Sequence, residues 1–92
     1  MAEVTIDQQY HGTVNLAILQ LRRLAKSNDI DAGFAAARDL GMLDAEREEF
    51  MRSCFEFDEA LKSGAVPADA VSPEKLAALR ACILSINSAD PA

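Results

Sequence analysis

The side chains of this sequence best suited to catalysis or metal binding are those of two cysteines and a single histidine, namely Cys54, Cys82 and His11. A cysteine beside a histidine can act as a nucleophile activated by a base, whereas a transition-metal site normally takes three or four such ligands. The sequence has no Cys-x-x-Cys motif and nothing in it indicates a residue that orients the imidazole. We therefore predict that both cysteines are small buried core residues, that the protein uses no metal or cofactor, and that it is not an enzyme. A nucleophilic Cys–His pair is the alternative.

Carboxylates are concentrated in one short stretch, residues 44–59, which carries seven acidic residues and only two arginines. Acidic residues near a helix N-terminus are favoured by the helix dipole, and a charged helix face is usually solvated. The same carboxylates could instead form a docking surface for a protein with a basic surface. The candidates for acidic docking are Glu46, Glu48, Glu49, Glu56 and Glu59. Metal catalysis is not indicated, because the stretch has no Glu-x-x-His motif and no inward-facing pair of carboxylates.

The whole chain of 92 residues has a formal net charge of −6, and half of its residues are apolar. A negative protein is repelled by the phosphate backbone of nucleic acids and by anionic membranes, so we expect neither as a partner. No stretch has the pattern of a signal peptide or of a membrane-spanning helix, and two cysteines are too few for a secreted disulfide scaffold. We therefore expect a cytoplasmic protein with a single helical domain over residues 1–92.

Apolar residues recur at helical spacing, and no segment alternates with the period of a strand for long enough to form one. The pattern predicts an all-α fold, a small four-helix bundle of orthogonal or up-down type. The predicted helices cover about residues 6–26, 29–40, 44–63 and 72–87. Asp44 and Ser72 suit helix N-caps, and Gly64 suits the left-handed residue that ends a helix. We expect residues 1–5 and 88–92 to fray.

The first predicted helix is apolar on two opposite sides. Its inward stripe, at about 100° per residue, consists of Tyr10, Val14, Ala17, Leu21 and Leu24. Leu16 and Leu19 lie on the far side, with Gly12 between their azimuths. Because a bundle helix needs only one apolar side, the pattern predicts that these two leucines bind a partner. Alternatively, the first helix is central and other helices cover both of its sides.

Further apolar side chains also lie off the main stripes of their helices. The candidates for an apolar interface are Leu16, Leu19, Met51, Phe55 and Leu84. Because most soluble oligomers are symmetric homodimers, a second copy is the default partner, and a foreign protein is the alternative. We interpret the chain as a non-enzymatic protein–protein interaction module. In this hypothesis it is a small acidic regulator or inhibitor (an anti-activator, an immunity or chaperone-like protein, or a phage or plasmid accessory protein) that binds and blocks another protein.

A second hypothesis concerns residues 34–51, which fit a helix-turn-helix unit. In such a unit the start of the second helix enters the major groove and meets phosphates. Here that start carries Glu46, Glu48 and Glu49 against the single cation Arg47. The geometry therefore allows a DNA-binding transcriptional regulator, while the charge opposes it.

Overall fold

Four α-helices account for most of residues 4–88, the part of the chain that the computed structural model describes; side chains are described through residue 86. The helices are α1 (Ile6–Ala25), α2 (Ile30–Asp39), α3 (Ala45–Ser63) and α4 (Pro73–Ser88). A short turn of 3-10 helix, Ala68–Ala70, precedes α4. No strand occurs within these residues. The predicted all-α fold with four helices is confirmed, and each helix boundary lies within one residue of its predicted position.

The helix ends are set by local side-chain chemistry. Asp44 caps α3 by accepting the backbone N–H of Arg47 at 2.8 Å, and the Ser72 hydroxyl caps α4 by accepting the N–H of Lys75 at 3.1 Å. Each bond satisfies an N–H group that has no partner inside its helix. Gly64 ends α3 with a φ of 81°, a left-handed conformation that glycine adopts without a steric penalty. These caps agree with the sequence predictions.

The predicted fraying of residues 1–5 and 88–92 falls mainly outside the described residues. Within them, Thr5 is the N-cap of α1, and its backbone N–H donates to Oε1 of Gln8 at 3.2 Å. Ser88 is the last residue of α4. Of the three described residues in these ranges, Thr5 and Ser88 belong to the ends of helices, and Val4 is exposed just before α1.

The crossing of α1 and α2 is the closest helix contact in the fold. Gly33 of α2 is buried against the backbone of Leu21, and a Cβ at this position would overlap the Leu21 carbonyl. Only glycine allows two helix backbones to approach this closely. The crossing sets the position of α2 and buries its next residue, Phe34, completely.

α1 contacts each of the other three helices and forms the centre of the bundle. The inward stripe of α1 belongs to a single hydrophobic cluster to which all four helices contribute. Tyr10 lies at the junction with α3, where its hydroxyl donates to the carbonyl of Cys54 at 2.7 Å and its ring packs edge-on against Phe57. Burial, together with this hydrogen bond, raises the pKa of Tyr10. The tyrosine is therefore a neutral core residue that ties α1 to α3.

Candidate functional site

Although α1 is central, one of its sides faces solvent. Leu16 is 44% exposed and Leu19 is 51% exposed, whereas the inward residues Tyr10, Ala17 and Leu21 have no exposed surface. Exposed single leucines are common on proteins, but these two lie one turn apart on the same side. Their azimuths alone had predicted that both leucines lie opposite the inward stripe of α1, and this position is confirmed.

The exposed side of α1 carries its two leucines between a glycine and two cations. The residues of this α1 outer face, spaced alternately by four and three, are Gly12, Leu16, Leu19 and Arg23, and Lys26 is the C-cap that follows the helix. Gly12 faces open space, and the two cations form no ion pair with any carboxylate of the described residues. The α1 outer face is therefore apolar at its middle and positively charged at its carboxyl end.

Leu84 is the most exposed of the predicted interface residues, at 65%. It lies on α4, one turn after Arg80, which donates to Oε1 of Gln9 on α1 at 3.4 Å. The prediction that Leu84 is an exposed apolar residue is therefore confirmed.

The other two predicted interface residues lie elsewhere. Met51 has no exposed surface and belongs to the core. Phe55 is half-buried, with its ring 5.9 Å from that of Phe34 on α2. The Phe55 ring thus contacts α2, while Met51 is enclosed in the core cluster. The structure thus corrects the prediction that Met51 and Phe55 form part of an exposed interface.

Glu48 differs from the other predicted acidic docking residues. Its Oε1 lies 2.8 Å from Nε of Arg38 on α2, and its Oε2 lies 3.2 Å from Nε of Arg52. The side chain is only 15% exposed. A hydrogen bond to Asp31 is the main reason why the pKa of Arg52 is raised, and Glu48 adds to the effect. Glu48 therefore ties α3 to α2, which corrects its assignment to the docking surface.

The remaining acidic candidates face solvent. Glu46, Glu49 and Glu56, which we call the acidic surface, are exposed and form no ion pair within the described residues. Glu59 is also exposed, but it pairs with Lys62 at 3.0 Å, and this bond is the main reason why the pKa of Lys62 is raised. Because Glu48 and Glu59 are paired with cations, α3 offers a partner fewer unpaired carboxylates than the sequence indicated.

A partly buried contact between a histidine and a carboxylate, which the sequence did not reveal, joins α1 to α3. Asp58 is 2% exposed, and its two carboxylate oxygens lie 3.1 and 2.9 Å from Nδ1 of His11. The other ring nitrogen, Nε2, lies 3.2 Å from the side-chain nitrogen of Asn15, and Nζ of Lys62 is 3.9 Å from the carboxylate. Asp58 therefore orients the imidazole, contrary to the expectation that nothing would.

The two thiols occupy the positions expected of core residues. Cys54 and Cys82 are both buried and unpaired, and burial is the main reason why the pKa of each thiol is raised. A raised pKa lowers the fraction of reactive thiolate. No hydrogen bond joins either thiol to His11. The arrangement gives no support to the Cys–His alternative.

An open groove lies between the start of α3 and the middle of α4, with a volume of about 460 Å³. Phe50 and Cys82 are among its apolar lining residues, together with Ala78 and Ala81, and Asp44 and other charged residues stand at its edge. Such a groove could accept an apolar side chain.

The remaining findings exclude few functions. No helix within residues 4–88 is long and apolar enough to cross a membrane, and the described side chains contain no group of three or more histidine, cysteine or acidic residues placed to hold a metal ion. Comparison with family models, with curated proteins and with solved structures finds no match. The functional argument therefore rests on the surface of the molecule.

Proposed function

We propose that this protein is a small, non-enzymatic regulator or inhibitor that acts by binding another protein, and that it does so as a cytoplasmic homodimer. The observation that carries this proposal is the exposure of Leu16 and Leu19 on the otherwise central helix α1. Burying the exposed half of one such leucine would contribute roughly 1 kcal/mol. For a domain this small, covering the same residues in both subunits is a substantial gain in stability.

The acidic surface supports a second partner of basic character. Glu49 and Glu56 are seven residues apart and so lie on the same side of α3, about 10 Å from each other along the helix. At about 100° per residue, both glutamates lie on the side of α3 opposite the buried Cys54, and so point away from the bundle. A protein bound to the α1 outer face would therefore leave the acidic surface open, and a dimer would present it twice.

The structure offers less support for DNA binding through residues 34–51. Two of the cations in and beside this unit, Arg38 and Arg52, are already paired with Glu48. Phosphate contacts require cations that are free to replace counterions. DNA binding remains the alternative, and no contact in the described structure favours it over protein binding.

A capture experiment with matched variants tests the proposal. The immobilised baits are the wild type, Glu49→Gln/Glu56→Gln, Leu16→Gln/Leu19→Gln and, as a control, Leu40→Gln, which alters another exposed leucine. We expect a protein from the native lysate to bind the wild type and the control.

The glutamate variant should no longer capture this protein. The Leu16/Leu19 variant should capture it more weakly, because a monomer presents the acidic surface only once. Equal capture by all four baits would contradict the proposal. A salt-dependent shift of duplex DNA by the wild type would instead support the DNA-binding alternative.

A further inference from the structure

We propose that the carboxyl end of α1 is a docking site for an acidic segment of another protein, in which an apolar residue stands beside the carboxylates. The site, which we call the cationic pocket, has a volume of about 450 Å³ and lies where α1 leads into α2. Its lining residues are Leu19, Arg22, Arg23, Lys26, Ser27 and Asn28. The inference goes beyond the proposed function, because it names a partner opposite in charge to the one expected at the acidic surface.

Positive charge is concentrated at this end of α1. Three of the nine cations of the chain, Arg22, Arg23 and Lys26, lie within five consecutive residues, and residues 8–28 contain no aspartate or glutamate. None of the three forms an ion pair within the described residues. The carboxylate nearest in sequence, that of Asp29, accepts the backbone N–H of Asp31 at 3.0 Å as the cap of α2. The pocket is therefore a positive site on a protein with a net charge of −6.

The side chains of the pocket offer hydrogen-bond donors suited to carboxylates. Nε of Arg22 donates to the backbone carbonyl of Asn28 at 3.2 Å, which holds the guanidinium against the α1–α2 connection and uses one of its five N–H groups. The guanidinium of Arg23 is exposed and can bind a carboxylate through two parallel hydrogen bonds. The hydroxyl of Ser27 accepts the backbone N–H of Asp29 at 3.2 Å and keeps its own hydrogen to donate. A carboxylate in the pocket would thus meet several donors.

Lys26 stands in a backbone conformation that glycine adopts more easily. It is the C-cap of α1 and has a φ of 53°, whereas the other described residues with a positive φ, Gly41 and Gly64, are glycines. A left-handed conformation has a steric cost for any residue with a Cβ, and helices commonly end at glycine for this reason. The chain therefore keeps a positive charge at a position that glycine would fill with less strain.

Leu19 distinguishes a protein segment from other anions. Its side chain is 51% exposed and lines the pocket one turn before the two arginines. A small inorganic anion would leave this leucine in water and be held only by exposed cations, whose attraction salt screens. A nucleic acid carries charge along its whole length and would be repelled by the remainder of a protein of net charge −6. A segment with an apolar residue beside its carboxylates can cover the leucine and neutralise the cations together.

Leu16 allows the site to be studied apart from the proposed homodimer. Leu19 belongs both to the pocket and to the pair of leucines that a second copy would cover, so an acidic segment would compete with the second copy. Leu16 does not line the pocket. Leu16→Gln should therefore weaken self-association while it leaves the binding of an acidic segment intact.

Titration of a fluorescent peptide, followed by anisotropy, tests the site. The probe is a helical peptide of about 15 residues, or about four turns, made of leucine, alanine and glutamate, with two leucines followed one turn later by three glutamates. Arg22→Gln/Arg23→Gln/Lys26→Gln should raise its dissociation constant about tenfold. Added salt should weaken the binding to the wild type.

A matched variant controls for net charge. Arg47→Gln/Lys62→Gln/Arg80→Gln removes the same charge from three exposed cations outside the pocket, and it should bind the probe nearly as well as the wild type. Lys26→Gly should weaken the binding without lowering the melting temperature, because glycine suits the left-handed conformation. Unchanged binding by Lys26→Gly, with a lower melting temperature, would show that the lysine serves only the helix end and would overturn its place in the site.

The remaining outcomes decide between this inference and its alternatives. Equal binding by the two triple variants would reduce the attraction to net charge and overturn the site. A peptide with lysine in place of glutamate, a glutamate peptide without leucine, or duplex DNA that bound as tightly as the probe would overturn the stated chemistry of the partner. A wild type that stays monomeric but binds the probe through the three cations would support this inference and contradict the homodimer alone. A wild type that dimerises but does not bind the probe would overturn this inference alone.

Discussion

The imidazole of His11 and the carboxylate of Asp58 form a pair across α1 and α3, with Nδ1 lying 2.9 and 3.1 Å from the two carboxylate oxygens. Asp58 is almost completely buried, and a buried carboxylate is costly unless it is hydrogen-bonded. The pair therefore holds α3, which carries the acidic surface, against α1.

Removing one member of this pair should destabilise the fold. His11→Leu removes the hydrogen-bond partner of the buried Asp58 carboxylate and leaves it only Nζ of Lys62, at 3.9 Å, so we expect a loss of about 2 kcal/mol in the free energy of unfolding. Urea unfolding followed by circular dichroism measures the loss. A double-mutant cycle with Asp58→Leu should show a coupling of about 1–2 kcal/mol. Additive effects of the two substitutions would mean that the pair contributes nothing.

Two glycines should respond in opposite directions to substitution by alanine. Gly33→Ala places a methyl group against the Leu21 carbonyl, so α2 must move away from α1, at a cost of about 2 kcal/mol or more. Gly12→Ala meets open space and should stabilise α1 by about 0.5–1 kcal/mol. The melting temperatures of the two variants provide the comparison. If Gly33→Ala were as stable as the wild type, the close crossing of α1 and α2 would be disproved.

Stability should fall in alkaline solution because of three buried groups. Burial is the main cause that raises the pKa of the thiols of Cys54 and Cys82 above their ordinary 9.0, and that of Tyr10 above 10.0. Below pH 9 these groups are protonated in both the folded and the unfolded chain, and their contribution is fully present. As the pH rises through 9 and 10, the unfolded chain releases protons that the folded chain retains, so unfolding becomes easier up to the folded pKa values.

The urea midpoint at about pH 8 and about pH 10 measures this effect. Cys54→Ala/Cys82→Ala should be less stable at both values, but it should lose less stability between them than the wild type does. An equal loss in the variant and the wild type would exclude the thiols as the cause.

Two adjacent glutamates, Glu48 and Glu49, should also differ in how much they contribute to the free energy of unfolding. Glu48→Gln weakens the contact with Arg38 that joins α3 to α2, and the contact with Arg52 within α3, so we expect a loss of about 1 kcal/mol. Glu49→Gln should change the free energy of unfolding by less than about 0.5 kcal/mol, because Glu49 is exposed and unpaired. Denaturation curves recorded side by side test the contrast. Similar curves would return Glu48 to the acidic surface.

The helices could be predicted because their signals are local. Asp44, Gly64 and Ser72 mark helix ends by chemistry that acts within four residues. The exposure of Leu16 and Leu19 could also be predicted, since both lie opposite the inward stripe of the longest helix. A single helix thus reveals which of its sides are apolar.

The positions of Met51, Glu48 and Asp58 could not be predicted, because each depends on a second helix. The azimuth of Met51 shows that α3 has a wide apolar side, but only the assembled bundle shows that Met51 is enclosed in the core. Asp58 binds His11, which is 47 positions away in the sequence. The periodicity of one helix cannot predict a contact with a particular residue of another helix.

The most direct test of the account is the mass of the protein in solution, measured by sedimentation equilibrium over a range of concentrations. We predict that the wild type and Leu40→Gln approach the mass of a dimer at high concentration. Leu16→Gln/Leu19→Gln should retain the mass of a monomer, with the same helical circular dichroism. If the wild type stayed monomeric throughout, or if the Leu16/Leu19 variant dimerised as well as the wild type, the exposed leucines of α1 would not be a self-association surface.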